Sequence, residues 1–320
     1  MKKLLLTTLS LVLLSSISFA KATTTASDED KATAFAKEME KWAVKADKAY
    51  AGKENVVREV VYKNYKGKEL GFDIIQPTKQ LYKDGSPVII SIHGGGWGGG
   101  TRYVVSEEDM KRYGDLGIAV VPISYSKETI QECVTDCFDA ARFLALNAKK
   151  YNLDMNRVGI SGHSAGGHLC LMLTLAPDDV FAGDEALKGA KYKILCGSAK
   201  APICTLIDDY IFEKYKQPYN RANSPRNMGD RFDKTFDLRK KLSPSEYITT
   251  TSPKLQIIHG DADTTCPIEE TTRTCERAKS IGNEIELHVV PGAGHGVTKS
   301  RNDEEEAFYS KHLLKDIKKL

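Results

Sequence analysis

Apolar positions along this chain recur in two periods that replace one another repeatedly. Val56 to Tyr62 and Leu70 to Gln76 carry strand-like patterns separated by the turn-forming Lys66-Gly67-Lys68, which predicts an antiparallel hairpin. Short apolar runs then alternate with stretches of helical period. Strands are predicted at Val88 to His93, Ile118 to Ser124, Arg157 to Ser161, Tyr192 to Cys196, Lys254 to His259 and Glu284 to Val290. Helices are predicted around Glu107 to Leu116, from Glu128 to Lys150, directly after Ser164, at Ile268 to Ile281 and near the C-terminus. Such alternation predicts an α/β fold: a mainly parallel central sheet, helices on both faces, and the antiparallel N-terminal hairpin at one edge. Ligands of such sheets bind beyond the carboxyl ends of the strands.

The N-terminus has a different pattern. Lys2 and Lys3 precede the mainly apolar block Leu4 to Leu14, and Ser18-Phe19-Ala20 offers small residues where a signal peptidase inspects the chain. Residues 1–20 are therefore expected to be a signal peptide cleaved near Ala20, which predicts a secreted or periplasmic protein. The apolar block is shorter than the roughly 20 residues a spanning helix needs. With no second long apolar run, the mature chain is expected to be soluble and to have no membrane partner.

Residues 21–55 read as a polar lead-in followed by a docked amphipathic helix, with Phe35, Met39, Trp42, Ala43, Ala46 and Tyr50 at helical spacing and Ser27 as a cap. Residues 56–320 are expected to form one α/β domain. Within it, residues 176–243 are too irregular for an ordinary connection and carry Tyr210, Phe212, Tyr215, Tyr219, Phe232 and Phe236. They read either as a cap over a site or as surface helices with buried aromatics.

Charge adds an exclusion. Lys and Arg number 46 against 43 Asp and Glu, a formal charge of +3 that falls to +1 without Lys2 and Lys3. A balance this even gives no electrostatic case for nucleic acid as a partner. The basic residues Lys315, Lys318 and Lys319 are assigned to a terminal helix whose start, Asp303 to Glu306, is acidic, which complements the helix dipole.

Seven cysteines in an exported chain permit disulfides but leave one over. Cys133 and Cys137 lie one helical turn apart, about 5 to 6 Å between Cβ atoms, whereas a disulfide needs about 3.5 to 4.5 Å. Nine residues of helix would separate Cys266 and Cys275 by roughly 13 Å. Cys170 is expected to be an unpaired core thiol, and a local Cys196 to Cys204 pairing stays open. No spacing resembles a metal site.

The chemistry concentrates in four places. Gly162-His163-Ser164-Ala165-Gly166-Gly167 stands between a predicted strand and a predicted helix, so Ser164 is a candidate nucleophile on a sharp turn whose neighbours must be small. About 70 residues upstream, a strand runs into His93-Gly94-Gly95-Gly96-Trp97, where consecutive glycines leave backbone N–H groups free to stabilise an oxyanion. Two later strands run into His259-Gly260-Asp261-Ala262-Asp263 and into Pro291-Gly292-Ala293-Gly294-His295. The chain order serine, aspartate, histidine is that of α/β-hydrolases, unlike the chymotrypsin and subtilisin orders. His163 and His168 are expected to pack or hydrogen-bond locally, and His93 and His259 to be structural members of their motifs.

On these residues the chain resembles the α/β-hydrolase branch with HGGGW and GHSAGG motifs, which includes hormone-sensitive-lipase-like carboxylesterases and bacterial acetyl-xylan and feruloyl-type esterases. The resemblance runs from about Val56 to the C-terminus. It implies Asp263 as the acid, in a loop patterned H-G-x-x-D-x-x-V-P that has Cys266 in place of the usual valine. Asp261 is the rival, expected to support the loop. The resemblance further implies Gly95 and Gly96 as the oxyanion donors that act with the Ala165 N–H, and Trp97 beside them is a candidate substrate contact. The usual Y-R after the fourth strand is Tyr125-Ser126 here.

The expected activity is hydrolysis of short-chain acyl esters, small or polysaccharide-linked, including acetyl or feruloyl esters of plant polysaccharides. Ser164 would attack, His295 would take its proton and Asp263 would orient the imidazole, through an acyl-enzyme that requires no metal or organic cofactor. Because His295 must be neutral to act as a base, kcat/KM is expected to rise with pH as the imidazolium is lost. Alternatives are an aryl formamidase or small serine peptidase with the same triad, and a non-catalytic binding domain of the same fold.

Overall fold

In the computed structural model, residues 37, 40–41, 43–103, 105–208, 236–297 and 302–320 are described. The chain divides into two compact units, Met1–Ala51 and Gly52–Leu320. In the first, residues 37, 40–41 and 43–50 are helical. The expected cap Ser27, together with Phe35, Met39 and Trp42, lies outside the described residues, as does the whole of the expected signal peptide.

The second unit is built on an eight-stranded sheet in the order β1-β2-β4-β3-β5-β6-β7-β8. The strands are β1 (Val56–Tyr65), β2 (Lys68–Ile75), β3 (Ser86–Ile92), β4 (Ala119–Ile123), β5 (Leu153–His163), β6 (Ile194–Lys200), β7 (Lys254–Gly260) and β8 (Ile285–Val290). β2 pairs antiparallel with β1 and β4, and every other pairing is parallel. The predicted hairpin is present: Tyr65 faces Lys68 across a two-residue loop. Lys66 and Gly67 both have positive φ, +48° and +78°, as a turn matched to strand twist requires.

Among the described residues of this unit, the α-helices are α1 (Glu107–Asp115), α2 (Ile130–Leu146), α3 (Ala165–Leu175), α4 (Phe236–Lys241), α5 (Ile268–Ser280) and α6 (Asn302–His312). α1 and α2 each start on a capping box, Ser106 with Asp109 and Thr129 with Glu132. The central strands are buried almost throughout, so they appear in sequence as short apolar runs. Val88, Ile90, Val121, Ile160 and Ile257 form the heart of the core with Leu169, Met172 and Phe138 of the covering helices.

Four expectations need correction or qualification. β6 continues past Cys196 to Lys200 through Gly197-Ser198-Ala199, which has little strand character of its own. The terminal helix ends at His312, so Lys315, Lys318 and Lys319 lie beyond it; Lys319 forms a bridge with Tyr82, and the basic last turn consists of Lys311 and His312. All seven cysteines are free, which closes the Cys196 to Cys204 alternative, and Cys170 is buried in α3 as expected. Most of the aromatic stretch, Tyr210 to Phe232, lies outside the described residues, whereas Phe236 is exposed at the start of α4.

Candidate active site

Because β3, β5, β7 and β8 belong to one parallel run, the segments leaving them emerge on the same side of the sheet. Each of the four sequence motifs is such a segment. Ser164 follows β5 directly and starts α3 with φ 58° and ψ −123°, a conformation that a side-chain-bearing residue rarely adopts. It persists because its surroundings fix it: the Ser164 N–H donates to the Lys200 carbonyl at 2.9 Å, at the end of the lengthened β6. Two glycines make room. A Cβ on Gly162 would lie 2.1 Å from the Gly166 carbonyl oxygen, and one on Gly166 would lie 2.2 Å from that of Ile92.

His295 faces Ser164 from the loop after β8. Its Nε2 is 2.9 Å from Ser164 Oγ, positioned to accept the hydroxyl proton, and its Nδ1 is 2.8 Å from Asp263 Oδ2. Asp263, in the loop after β7, has a fully buried side chain. Its Oδ1 accepts the N–H groups of Thr265 and Cys266, at 2.8 and 3.0 Å. His259 adds a further contact at 3.3 Å to Oδ2. Burial pushes the Asp263 carboxyl up, but the hydrogen bonds from His259, His295 and the Cys266 backbone outweigh burial and hold it well below the usual carboxylate range. The structure therefore brings together the three side chains expected from sequence, with the anion and the imidazole in the arrangement a general base requires.

Several neighbours hold these loops. His163 Nε2 donates to the His295 carbonyl at 2.8 Å, and the two rings lie 4.8 Å apart. Asp261 accepts the Gly292 N–H at 2.6 Å, which ties the acid loop to the histidine loop. The Cys266 thiol reaches the Ser164 hydroxyl, and burial, with Asp263 and Glu270 nearby, pushes it up so that it stays protonated. Behind the turn, Lys200 Nζ meets Glu305 of α6 at 2.6 Å, and Glu305 also accepts from Ser161 and Tyr113.

The glycine loop lies against the Ser164 turn: a Cβ on Gly94 would be 3.3 Å from that of Ser164 and 2.8 Å from the His163 carbonyl oxygen. Gly95 and Gly96 have φ of +121° and +59°, and Gly95 is exposed. Ala165 opens α3, where backbone N–H groups have no intrahelical acceptor and the helix dipole favours negative charge.

Trp97 is the exception among the expected site residues. Its side chain is 1% exposed within the core, and its indole N–H donates to His168 Nδ1 at 3.2 Å. His168 in turn donates from Nε2 to the Leu242 carbonyl, so the tryptophan anchors the loop from beneath and does not face a substrate. Burial pushes His168 down to about 4 and His93 down to about 3, which keeps both imidazoles neutral. The local hydrogen bond of His163 agrees with the sequence reading, whereas the tethering roles of Lys200 and Glu305 have no motif to signal them. Among the described residues, no group of three or more His, Cys, Asp or Glu side chains is arranged to hold a metal ion.

The BD-FAE family model matches residues 72–277, which include Ser164 and Asp263 and end before His295. Esterase LipC of Mycobacterium tuberculosis is 25% identical over 69% of this chain and 54% of its own length. The isoprenylcysteine alpha-carbonyl methylesterase ICME of Arabidopsis thaliana is 24% identical over 77% of this chain and 58% of its own. The chain thus spans about half the length of the curated relatives it matches. Among solved structures, esterase 2 of Thermogutta terrifontis superposes with a TM-score of 0.67 at 22% identity, covering 80% of this chain and 92% of that one. The same esterase phosphonylated by sarin gives 0.66 at 24% identity, covering 81% and 95%. The family match shows that the chain belongs to the BD-FAE family, and the sheet order and strand-end loops give it the α/β-hydrolase fold of its esterase structural neighbours.

Proposed function

We propose that this protein is an exported serine carboxylesterase acting on short-chain acyl esters, with Ser164 as nucleophile, His295 as general base and Asp263 as the orienting acid. The observation that carries the reading is the pair of contacts made by one imidazole, 2.9 Å to Ser164 Oγ and 2.8 Å to Asp263. His295 takes the serine proton as Oγ attacks the ester carbonyl. Asp263, held ionised, keeps Nδ1 protonated and stabilises the imidazolium. The N–H groups of Gly95, Gly96 and Ala165 receive the developing oxyanion. The imidazolium then protonates the departing alcohol, and water activated by His295 releases the acid from the acyl-enzyme.

The names of the relatives support ester hydrolysis, and the phosphonylated neighbour supports a site that reacts with organophosphorus esters. The N-terminal pattern Lys2-Lys3, Leu4 to Leu14 and Ala20 supports export. Export and family together favour acetyl or feruloyl esters, free or on plant polysaccharides, as the substrate class.

The test is a panel of p-nitrophenyl acetate, butyrate and octanoate, acetylated xylan, methyl ferulate, an aryl formamide and an aminoacyl anilide, each with wild type and Ser164→Ala. The expected result is ester turnover with a burst of p-nitrophenol, and a loss of several orders of magnitude in Ser164→Ala without loss of folding. Preference for the formamide or the anilide would reassign the substrate, and inertness of the wild type on the whole panel would reduce the fold to a binding domain.

A further inference from the structure

The loop from Gly94 to Gly100 is poor in side chains, so its shape must be imposed from outside. Lys127, just beyond the end of β4, supplies one such contact: its Nζ donates to the Gly100 carbonyl at 2.7 Å. Lys127 itself has φ +63°, a left-handed conformation that is unfavourable for a residue with a side chain. The Gly100 peptide touches the oxyanion segment directly. A Cβ on Gly95 would lie 2.5 Å from the Gly99 carbonyl carbon and 2.7 Å from the Gly100 nitrogen; one on Gly100 would lie 2.1 Å from the Gly94 oxygen. An unbroken line of contacts therefore runs from the Lys127 ammonium through Gly100 to Gly94 and Gly95.

We propose that Lys127 is a positioning residue for ester hydrolysis, holding the Gly94–Gly100 loop in its oxyanion-binding shape through a charged hydrogen bond to the Gly100 carbonyl. The inference rests on the esterase reading of the site. His93 at the end of β3, Lys68 of β2, Arg102 beyond the loop and Cys133 of α2 face this group. Burial, with Lys68 and Arg102 adding to it, lowers the Lys127 ammonium to about 8. Burial also keeps the Cys133 thiol protonated and His93 neutral through that range, so neither titrates there. Below about pH 8 the bond to Gly100 is charge-assisted; above it the neutral amine makes a weaker one, because such bonds are roughly twice as strong when one partner is ionised.

The test compares wild type with Lys127→Met and Lys127→Arg. It measures kcat and KM for p-nitrophenyl butyrate from pH 6 to 10, and amide hydrogen exchange in the peptide spanning residues 94–101 at fixed pH. For Lys127→Met the expected result is a kcat lower by about tenfold with KM within about twofold, the pattern of an interaction made in the transition state. The wild-type fall in kcat around pH 8 should be missing from Lys127→Met, and its loop amides should exchange faster. Lys127→Arg, which keeps a cation that does not titrate in this range, should lose the fall as well.

Wild-type kcat, an unchanged alkaline fall or unchanged exchange in Lys127→Met would overturn the proposal. Should Lys127→Met not fold, an alkaline fall retained near pH 8 in Lys127→Arg would overturn it instead. If the wild type hydrolyses no ester, the functional reading fails, and the exchange measurement still decides whether Lys127 holds the loop.

Discussion

Replacing Gly166 with alanine tests whether the close fit of α3 against the end of β3 sets the position of Ser164, the proposed nucleophile. An ideal Cβ at residue 166 would lie 2.2 Å from the Ile92 carbonyl oxygen and 2.6 Å from that of His93. Both are backbone atoms, so no rotamer change relieves the clash, and the first turn of α3 must retreat by about 1 Å to restore ordinary contact. Gly166 has no positive φ, so the backbone conformation itself tolerates alanine and the perturbation is steric. Overpacking costs about 1 to 3 kcal/mol, and the better helix propensity of alanine offsets up to about 1 kcal/mol. The retreat carries Ser164 with it. A hydroxyl now 2.9 Å from His295 Nε2 would move beyond hydrogen-bond range. A displacement of this size corresponds to about a hundredfold in kcat. Steady-state hydrolysis of p-nitrophenyl butyrate reads the rate, and urea unfolding reads the stability. Gly189→Ala is the control, since its Cβ would meet nothing within 4 Å; it should lose some stability to its φ of +83° and keep its rate. A Gly166→Ala enzyme within threefold of wild type, at unchanged stability, would refute the reasoning.

Three of the remaining predictions concern charge and protonation. Asp263→Asn should lower kcat by about 10⁴-fold with little change in KM, because the amide favours the wrong imidazole tautomer; stopped-flow acylation with the same ester measures it. Since the Asp263 carboxyl is held below its unfolded value, it contributes stability above that value, near 3.9, which is lost as pH falls further through the folded one. Asp263→Asn should therefore flatten the acid limb of a urea-midpoint profile, and an unchanged limb would refute the assignment. His168 has the opposite chemistry: buried and neutral down to about 4, it leaves the unfolded chain to take up the proton first, so stability falls as pH drops from about 6.5 to 4. His168→Gln should remove about 1.4 kcal/mol per pH unit from that slope, and a slope equal to wild type would contradict the buried neutral assignment.

What the sequence revealed and what it concealed have physical causes in particular residues. Parallel strands buried on both faces must be apolar along their length, so β3 and β7 stand out in the sequence, and their ends mark where Gly94 and Asp263 emerge. β6 extends beyond its sequence signature because Gly197-Ser198-Ala199 lacks the branched residues that signal a strand. Its composition answers a packing demand: a Cβ on Gly197 would lie 2.5 Å from Thr174 Oγ1, so α3 approaches too closely for a larger residue. The same close approach lets the Lys200 carbonyl reach the Ser164 N–H.

Residue type also explains why the sequence suggests a substrate contact at Trp97. An aromatic beside a glycine loop suits a ligand contact and a core anchor equally well, and only the burial of its ring and its bond to His168 separate the two. The supporting contacts were hidden for a related reason. Lys127, His163 and Ser164 all donate to backbone carbonyls, those of Gly100, His295 and Lys200, and a carbonyl has no residue identity to recognise in a sequence. A motif can therefore name the atoms that react, while the groups that place them become visible only when the chain is folded. Substitutions at Lys127 and His163 should for that reason shift rates without altering any recognisable motif.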